Sequence, residues 1–243
     1  MLQDKEPTDD VTKPQLEIPP KINIVSYGAG VDSTAMILKM VENKIPIDHV
    51  VFADTGGELP ETYMVVEFMK KFLKKRNIPF QTVYNFRMVT LLQKCITRNV
   101  FPDTFKRWCT RDFKVAPIHK FYKKFYKGYK INEYIGIDAA ETKRCREAKE
   151  EYITKQYPLV KWRMDRLDCE KYIFEKKFPY VIKSGCYFCP FNSTIRWGYI
   201  KKKHPKLYTI CKKLERDSKH FAGGMRLIGK SKRTDDFCGQ GFS

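Results

Sequence analysis

Two groups of residues in this chain have the types and spacing to do chemistry. The first is Tyr27-Gly28-Ala29-Gly30-Val31-Asp32-Ser33-Thr34, which follows the run Ile22-Asn23-Ile24-Val25-Ser26. Small residues let the backbone approach a ligand closely. The N–H groups that open the next helix lack intrahelical partners and carry the positive end of its dipole. A strand, a small-residue loop and a helix N-terminus together make an anion site, usually for phosphate. The second group is Cys186-Tyr187-Phe188-Cys189, in which two thiolates two residues apart can grip one metal. The chain has eight cysteines, and in a cytosolic protein of this length they are expected as metal ligands, redox groups or core residues rather than disulfides.

Regular elements must position these groups, and the hydrophobic pattern supplies them. Lys21 to Ser26 reads as a first strand and Thr34 to Glu42 as its helix; Asp48 to Ala53 reads as a second buried strand. Pro60 suits a first helical turn, and Glu61 to Arg76 carries apolar residues at helical spacing. Phe80 to Tyr84 and Glu133 to Ile137 read as strands, with Val115 to Tyr126 as a helix between them. Strands alternating with helices predict an α/β fold with a mostly parallel, doubly wound, Rossmann-like sheet. The expected organisation is a flexible arm over residues 1–20, a nucleotide-binding domain over 21–160 and a small Cys-containing, basic lobe over 161–243.

At 243 residues, 42% hydrophobic and 14% aromatic, the chain can bury a sizeable core and is not disordered in composition. No apolar run approaches the ~20 residues of a membrane span. The N-terminus carries Asp, Glu and Pro where a signal peptide would be apolar, so a cytoplasmic protein without a membrane partner is expected. The formal net charge is +19, spread through clusters such as Lys74-Lys75-Arg76 and Lys201-Lys202-Lys203. Each cluster alone reads as a solvated face, but the total favours polyanions, and nucleic acid is the commonest.

The loop departs from two common phosphate patterns. A Walker loop ends in Gly-Lys-Ser/Thr, whereas here the triplet is Val31-Asp32-Ser33. The dinucleotide pattern needs a third Gly that does not follow Gly30. Gly28-Ala29-Gly30-Val31-Asp32-Ser33 instead resembles a relaxed copy of the Ser-Gly-Gly-x-Asp-Ser loop of the PP-loop ATP pyrophosphatases, of the adenine nucleotide alpha-hydrolase type. Asp54-Thr55-Gly56-Gly57-Glu58-Leu59-Pro60-Glu61-Thr62, Cys109 to Ile118 and Gly136 to Arg144 are similar to three further segments of the phosphoadenosine-phosphosulfate (PAPS) reductase-like branch. The four motifs stand in the family's order.

The resemblance implies a site for ATP and Mg²⁺. The loop from Ser26 and Tyr27 through Gly28, Ala29 and Gly30, with Ser33 and Thr34, would hold phosphates. Asp32 would reach Mg²⁺ or cap the helix. Asp54, Thr55 and Gly56, at the end of the second strand, would meet the nucleoside, unless Asp54 is only a turn residue. Arg111, Lys114 and Arg144 would neutralise phosphate or substrate charge. Glu141 would orient Arg144, with helix capping as its other role. The resemblance also gives Cys186 and Cys189 the partners Cys109 and Cys169, to hold a [4Fe–4S] cluster or, alternatively, Zn²⁺. Cys95, Cys145 and Cys211 read as packing residues. Cys238 stands in a Gly-flanked tail like that of PAPS reductases, but Phe237 and Gly241 replace its Glu and His.

The function implied is an enzyme that adenylates its substrate, releases pyrophosphate and supports sulfur transfer from a sulfur donor, with tRNA or DNA as target. Asp32, Arg144 and Cys238 are its catalytic candidates, and a homodimer is an open option. The alternatives are a sulfonucleotide reductase acting on PAPS, and a basic nucleic-acid-binding module with a degenerate nucleotide site.

Overall fold

The computed structural model describes residues 19–85, 87–102 and 106–218. The expected N-terminal arm up to residue 18 and the tail carrying Cys238 lie outside them. Five parallel strands form one sheet in the order β3-β2-β1-β4-β5. They are β1 (Lys21–Tyr27), β2 (His49–Asp54), β3 (Phe80–Tyr84), β4 (Lys130–Ile135) and β5 (Ile153–Gln156).

Strand alternation decides what lies on each face. Val50 and Phe52 of β2 point to one side and Val51 and Ala53 to the other, as the two-residue period requires. The first side is covered by α1 (Val31–Glu42), α2 (Pro60–Lys74) and α7 (Arg166–Glu175). Met36, Ile37, Met69, Leu73, Tyr172 and Ile173 share its core. The second side packs against Ile118, Phe121 and Tyr122 of α5 (Ala116–Phe125). A sheet covered on both faces can carry a continuous apolar run, as Val50 to Ala53 of β2 do.

A separate apolar cluster gathers residues distant in sequence. It joins Leu59 and the α3 (Leu91–Arg98) residues Leu91 and Cys95 to Phe101 and Phe113. It then adds Tyr187, Phe188, Trp197 and Ile200 of α8 (Thr194–Lys203), and Cys211 and Leu214 of α9 (Pro205–Asp217). The expected boundary near residue 160 therefore divides no core. Met164, Cys169, Tyr172, Ile173 and Val181 belong to the sheet's core, whereas Leu59, Leu91, Cys95, Phe101 and Phe113 join the C-terminal helices. Amphipathic α3, capped by Thr90, and strand β5 were not read from the sequence. Among the described residues no helix is long and apolar enough to cross a membrane.

Candidate functional site

The strand order reverses direction between β1 and β4. In open α/β sheets the crevice at the carboxyl ends of the strands beside such a switch point is where ligands bind. Ser26, one residue before the end of β1, pairs with Ile135, the end of β4. The loops that leave these strands carry Gly28–Ser33 and Gly136–Arg144, so two of the four sequence motifs meet in one crevice. The meeting is close. A Cβ on Gly136 would lie 2.6 Å from both N and Cα of Ser33, so the position admits only glycine.

Gly30 is the N-cap of α1, and Ser33 Oγ lies 3.4 Å from its N–H and 3.3 Å from its carbonyl oxygen. Ala29, in the family's first Gly position, is held at φ 53°, a left-handed conformation that costs an alanine about 1–2 kcal/mol. Backbone strain of this kind gathers where a loop is shaped for a ligand. The hydroxyls of Tyr27 and Thr34 do not face the crevice. They bond each other at 3.1 Å inside the core, and Tyr27 rests on Phe52 and Phe80. The Thr34 hydroxyl, expected at the phosphates, is thus engaged in the core instead.

Three carboxylates converge here. Asp32 in the first turn of α1, Asp138 after β4 and Glu141 in the short 3-10 turn Ala139–Arg144 each offer an oxygen within 4.8 Å of the others. Asp138 Oδ1 accepts the N–H groups of Ala140 and Glu141 at 3.0 Å, which fixes the loop. Asp32 Oδ2 accepts from Arg166 at 2.8 Å, and Arg166 Nε lies 3.9 Å from Asp138. Asp32 Oδ1 is buried and has no hydrogen-bond partner. Burial, helped by the charges of Asp138 and Glu141 and opposed by Arg166 and Arg144, raises the Asp32 carboxyl to about 6. An orphaned oxygen in a carboxylate cluster is the donor set of a hard divalent cation such as Mg²⁺. Arg144 pairs with Glu141, as expected, and remains half exposed. Arg166 was missed by sequence reasoning, and its only signal was Asp165, an N-cap that starts a helix there.

Asp54 behaves as a turn residue. Its Oδ1 accepts from the Gly56 N–H at 2.7 Å and from Tyr63 at 2.8 Å. Thr55 points toward the cysteines, with Oγ1 3.2 Å from Cys186 Sγ. Arg111 and Lys114 sit on one π-helical turn, Arg111–Val115, but serve different places. Arg111 is exposed and pairs with Asp112 at 2.7 Å. Lys114 reaches Glu58 at 3.2 Å, and Glu58 and the thiols nearby hold it well above the ordinary lysine range.

Cys109, Cys186 and Cys189 come together in the second apolar cluster, close enough to perturb one another electrostatically. Cys169 does not join them. It is buried in the sheet's core beside Asp32 and Arg166, because Tyr172 and Ile173 draw α7 against α1. Cys95 and Cys211 are packed in the second cluster as expected for core residues, and Cys95 lies near Cys109. Burial pushes the thiols up, Cys95 to about 12 and Cys186 higher still. Among the described residues, the carboxylate trio alone brings three ligand atoms within 4.8 Å of one another. The sulfurs of Cys109, Cys186 and Cys189 therefore do not all lie within 4.8 Å of one another.

One strap joins the two regions. Glu58, fully buried, accepts from Lys114 and from the Gly185 N–H at 2.9 Å. Arg196 donates to the carbonyls of Lys183 and Gly185. The strap lies so near the phosphate loop that a Cβ on Gly30 would be 2.6 Å from Ser184 Oγ. Ser184 thus touches one region, and Cys186, two residues on, belongs to the other. Glu58 was quoted in a motif but given no role by the sequence.

Two proteins of uncharacterised function from Methanocaldococcus jannaschii, MJ0973 and MJ0066, are each 27% identical to this chain, over 200 and 205 residues. The matches cover 75% and 76% of this chain but only 45% and 39% of those proteins, so it spans less than half of either. The crystal structure of PAPS reductase from Candida auris in a phosphate complex aligns with a TM-score of 0.48 and 18% identity, covering 68% of this chain and 76% of that one. The U34-tRNA thiolase NcsA from Methanococcus maripaludis with its [4Fe–4S] cluster aligns at 0.49 and 16%, covering 93% and 78%. The phosphoadenosine phosphosulfate reductase domain matches residues 22–182, most of the chain. The protein is therefore a member of the phosphoadenosine phosphosulfate reductase domain family.

Proposed function

We propose that the protein binds ATP in the β1–β4 crevice, adenylates a substrate with release of pyrophosphate, and supports sulfur transfer in the modification of tRNA or DNA. The observation that carries this reading is the orphaned Asp32 oxygen within the Asp32, Asp138 and Glu141 cluster. Three carboxylates repel a bare sulfonucleotide, whereas they suit a nucleoside triphosphate that arrives with its cation.

In the reaction, a substrate oxygen attacks the α-phosphorus, a new P–O bond forms, and the α–β bridge breaks with the electron pair leaving on pyrophosphate. A sulfur nucleophile then displaces AMP. The free N–H groups of α1 and the Ser33 hydroxyl hold the phosphate oxygens, and the helix dipole favours their charge. Asp32, Asp138 and Glu141 would hold Mg²⁺, which when bound neutralises phosphate charge. Arg166 keeps Asp32 in place, and Arg144 presents its guanidinium from the crevice rim. Cys109, Cys186 and Cys189 would hold a [4Fe–4S] cluster, which supplies an iron position with no protein thiol assigned to it, suited to carrying sulfur. Lys114 beside Cys186 and Cys189 offsets thiolate charge.

The test is pyrophosphate release from ATP and Mg²⁺ by anaerobically purified protein, with and without RNA or DNA. Release stimulated by nucleic acid is expected. No release, with sulfite formed from PAPS and a thiol donor, would overturn the reading in favour of a reductase. Iron content and visible absorption test the cluster, and a colourless zinc protein would remove it.

A further inference from the structure

We infer that the strap from Tyr180 to Phe191 is the docking surface for the nucleic acid, that it takes an unpaired strand, and that it holds bases by stacking on Tyr180 and Phe191; this rests on the reading of nucleic acid as the substrate. Tyr180 is 87% exposed and Phe191 53%, so both rings are open to a stacking partner. They bracket the strap that joins the two chemical regions. Tyr180 stands four residues before Ser184, which abuts the phosphate loop at Gly30. Phe191 stands two residues after the thiol ligand candidate Cys189. Along the chain the two rings therefore bracket the segment that touches both regions, Ser184 at Gly30 and Cys186 and Cys189 in the thiol cluster.

The charge around the strap fits a phosphate backbone. Arg107 lies over the Phe191 ring at 5.5 Å, a pair that can also grip a stacked base. Lys183 on the strap and Arg111 and Arg144 on the flanking elements are exposed, and the whole chain carries +19. Lone rings set among cations are poor protein-docking or membrane surfaces, which need continuous apolar area. They are the usual platform for unpaired nucleotides. A duplex keeps its bases inside and cannot use them.

The test is fluorescence anisotropy of the full chain with a short labelled single-stranded RNA, the same sequence as DNA, and its duplex. The wild type should favour the single strand, and the RNA and DNA arms identify the source. Tyr180→Ala combined with Phe191→Ala should weaken single-strand binding by about 10- to 100-fold. Tyr180→Phe with Phe191→Tyr should keep it, and Phe174→Ala, which removes an equally exposed ring from α7, should change it less than about twofold. Lys183→Ala should flatten the salt dependence by about one charge. Equal binding by the double alanine variant, or a preference for duplex, overturns the docking surface and leaves the substrate reading standing. No binding of any nucleic acid by the wild type overturns both.

Discussion

The carboxylate crevice and the thiol cluster solve the same problem in opposite ways. Both hold buried groups that must become anionic to bind a cation. In the crevice the anions are built on loops at the carboxyl ends of β1 and β4, and Arg166 offsets part of their charge. In the cluster the thiols lie among Phe113, Phe188 and Trp197, with Lys114 to one side. Burial raises the carboxyl of Asp32 only to about 6, while it pushes the thiols of Cys186 and Cys189 up from the ordinary cysteine range. Near neutral pH Asp32 is thus largely ionised, whereas Cys186 and Cys189 would have to shed protons for metal to enter. The difference teaches that, on the proposed function, the crevice would meet its cation already charged, while the thiols would ionise only as theirs arrives.

The largest expected effect separates the two. Asp32→Asn should lower pyrophosphate release at least about 100-fold, since it removes the orphaned oxygen's charge. Cys186→Ser should lower iron content while leaving ATP binding within a few-fold of wild type, as read by calorimetry. If Cys186→Ser abolishes ATP binding, the regions are one site rather than two.

Breaking the strap comes next. Glu58→Ala leaves Lys114 and the Gly185 N–H without their shared acceptor and should cost about 3 kcal/mol in denaturant unfolding. Gly136→Ala forces the β4 loop off the α1 N-terminus and should cost roughly 1–3 kcal/mol. It should weaken ATP binding more than it disturbs iron content.

A subtler test uses pH. Asp32 binds its proton more tightly when folded, so its contribution to stability is fully present below about pH 4 and is lost as pH rises through about 6. Asp32→Asn should therefore stabilise the cation-free protein by roughly 1–3 kcal/mol at pH 8 and by almost nothing at pH 4. Thermal melts across that range read it, and Mg²⁺ with ATP should recover part of the difference in the wild type alone. The smallest effect belongs to Arg111→Ala. This exposed arginine in a surface ion pair should change stability by less than about 1 kcal/mol.

The crevice was more legible in the sequence than the cluster. Its loops are local: Gly28 to Ser33 and Gly136 to Arg144 each declare a turn or helix start within a few residues, and β1, β2 and β3 follow their hydrophobic runs nearly to the residue. Side-chain direction was less legible. Tyr27 and Thr34 lie inside the loop motif, but strand and helix periodicity turn their hydroxyls into the core. Arg166 was invisible because nothing near residue 166 says that its partner is Asp32. For the thiols, the Cys-x-x-Cys pair announced itself, but its company did not, and Cys169 proved to be a core residue of α7.

The sequence by itself determined the fold family and the small-residue loop that opens α1, because short motifs and hydrophobic periodicity are local properties of the chain. The tertiary structure alone decided which carboxylates and which cysteines meet, that Glu58 ties the strap to Lys114, and that the strap passes within reach of Gly30. Those outcomes depend on how helices bury their apolar faces across the sheet. Packing between residues fifty or more positions apart leaves no periodic mark in either partner.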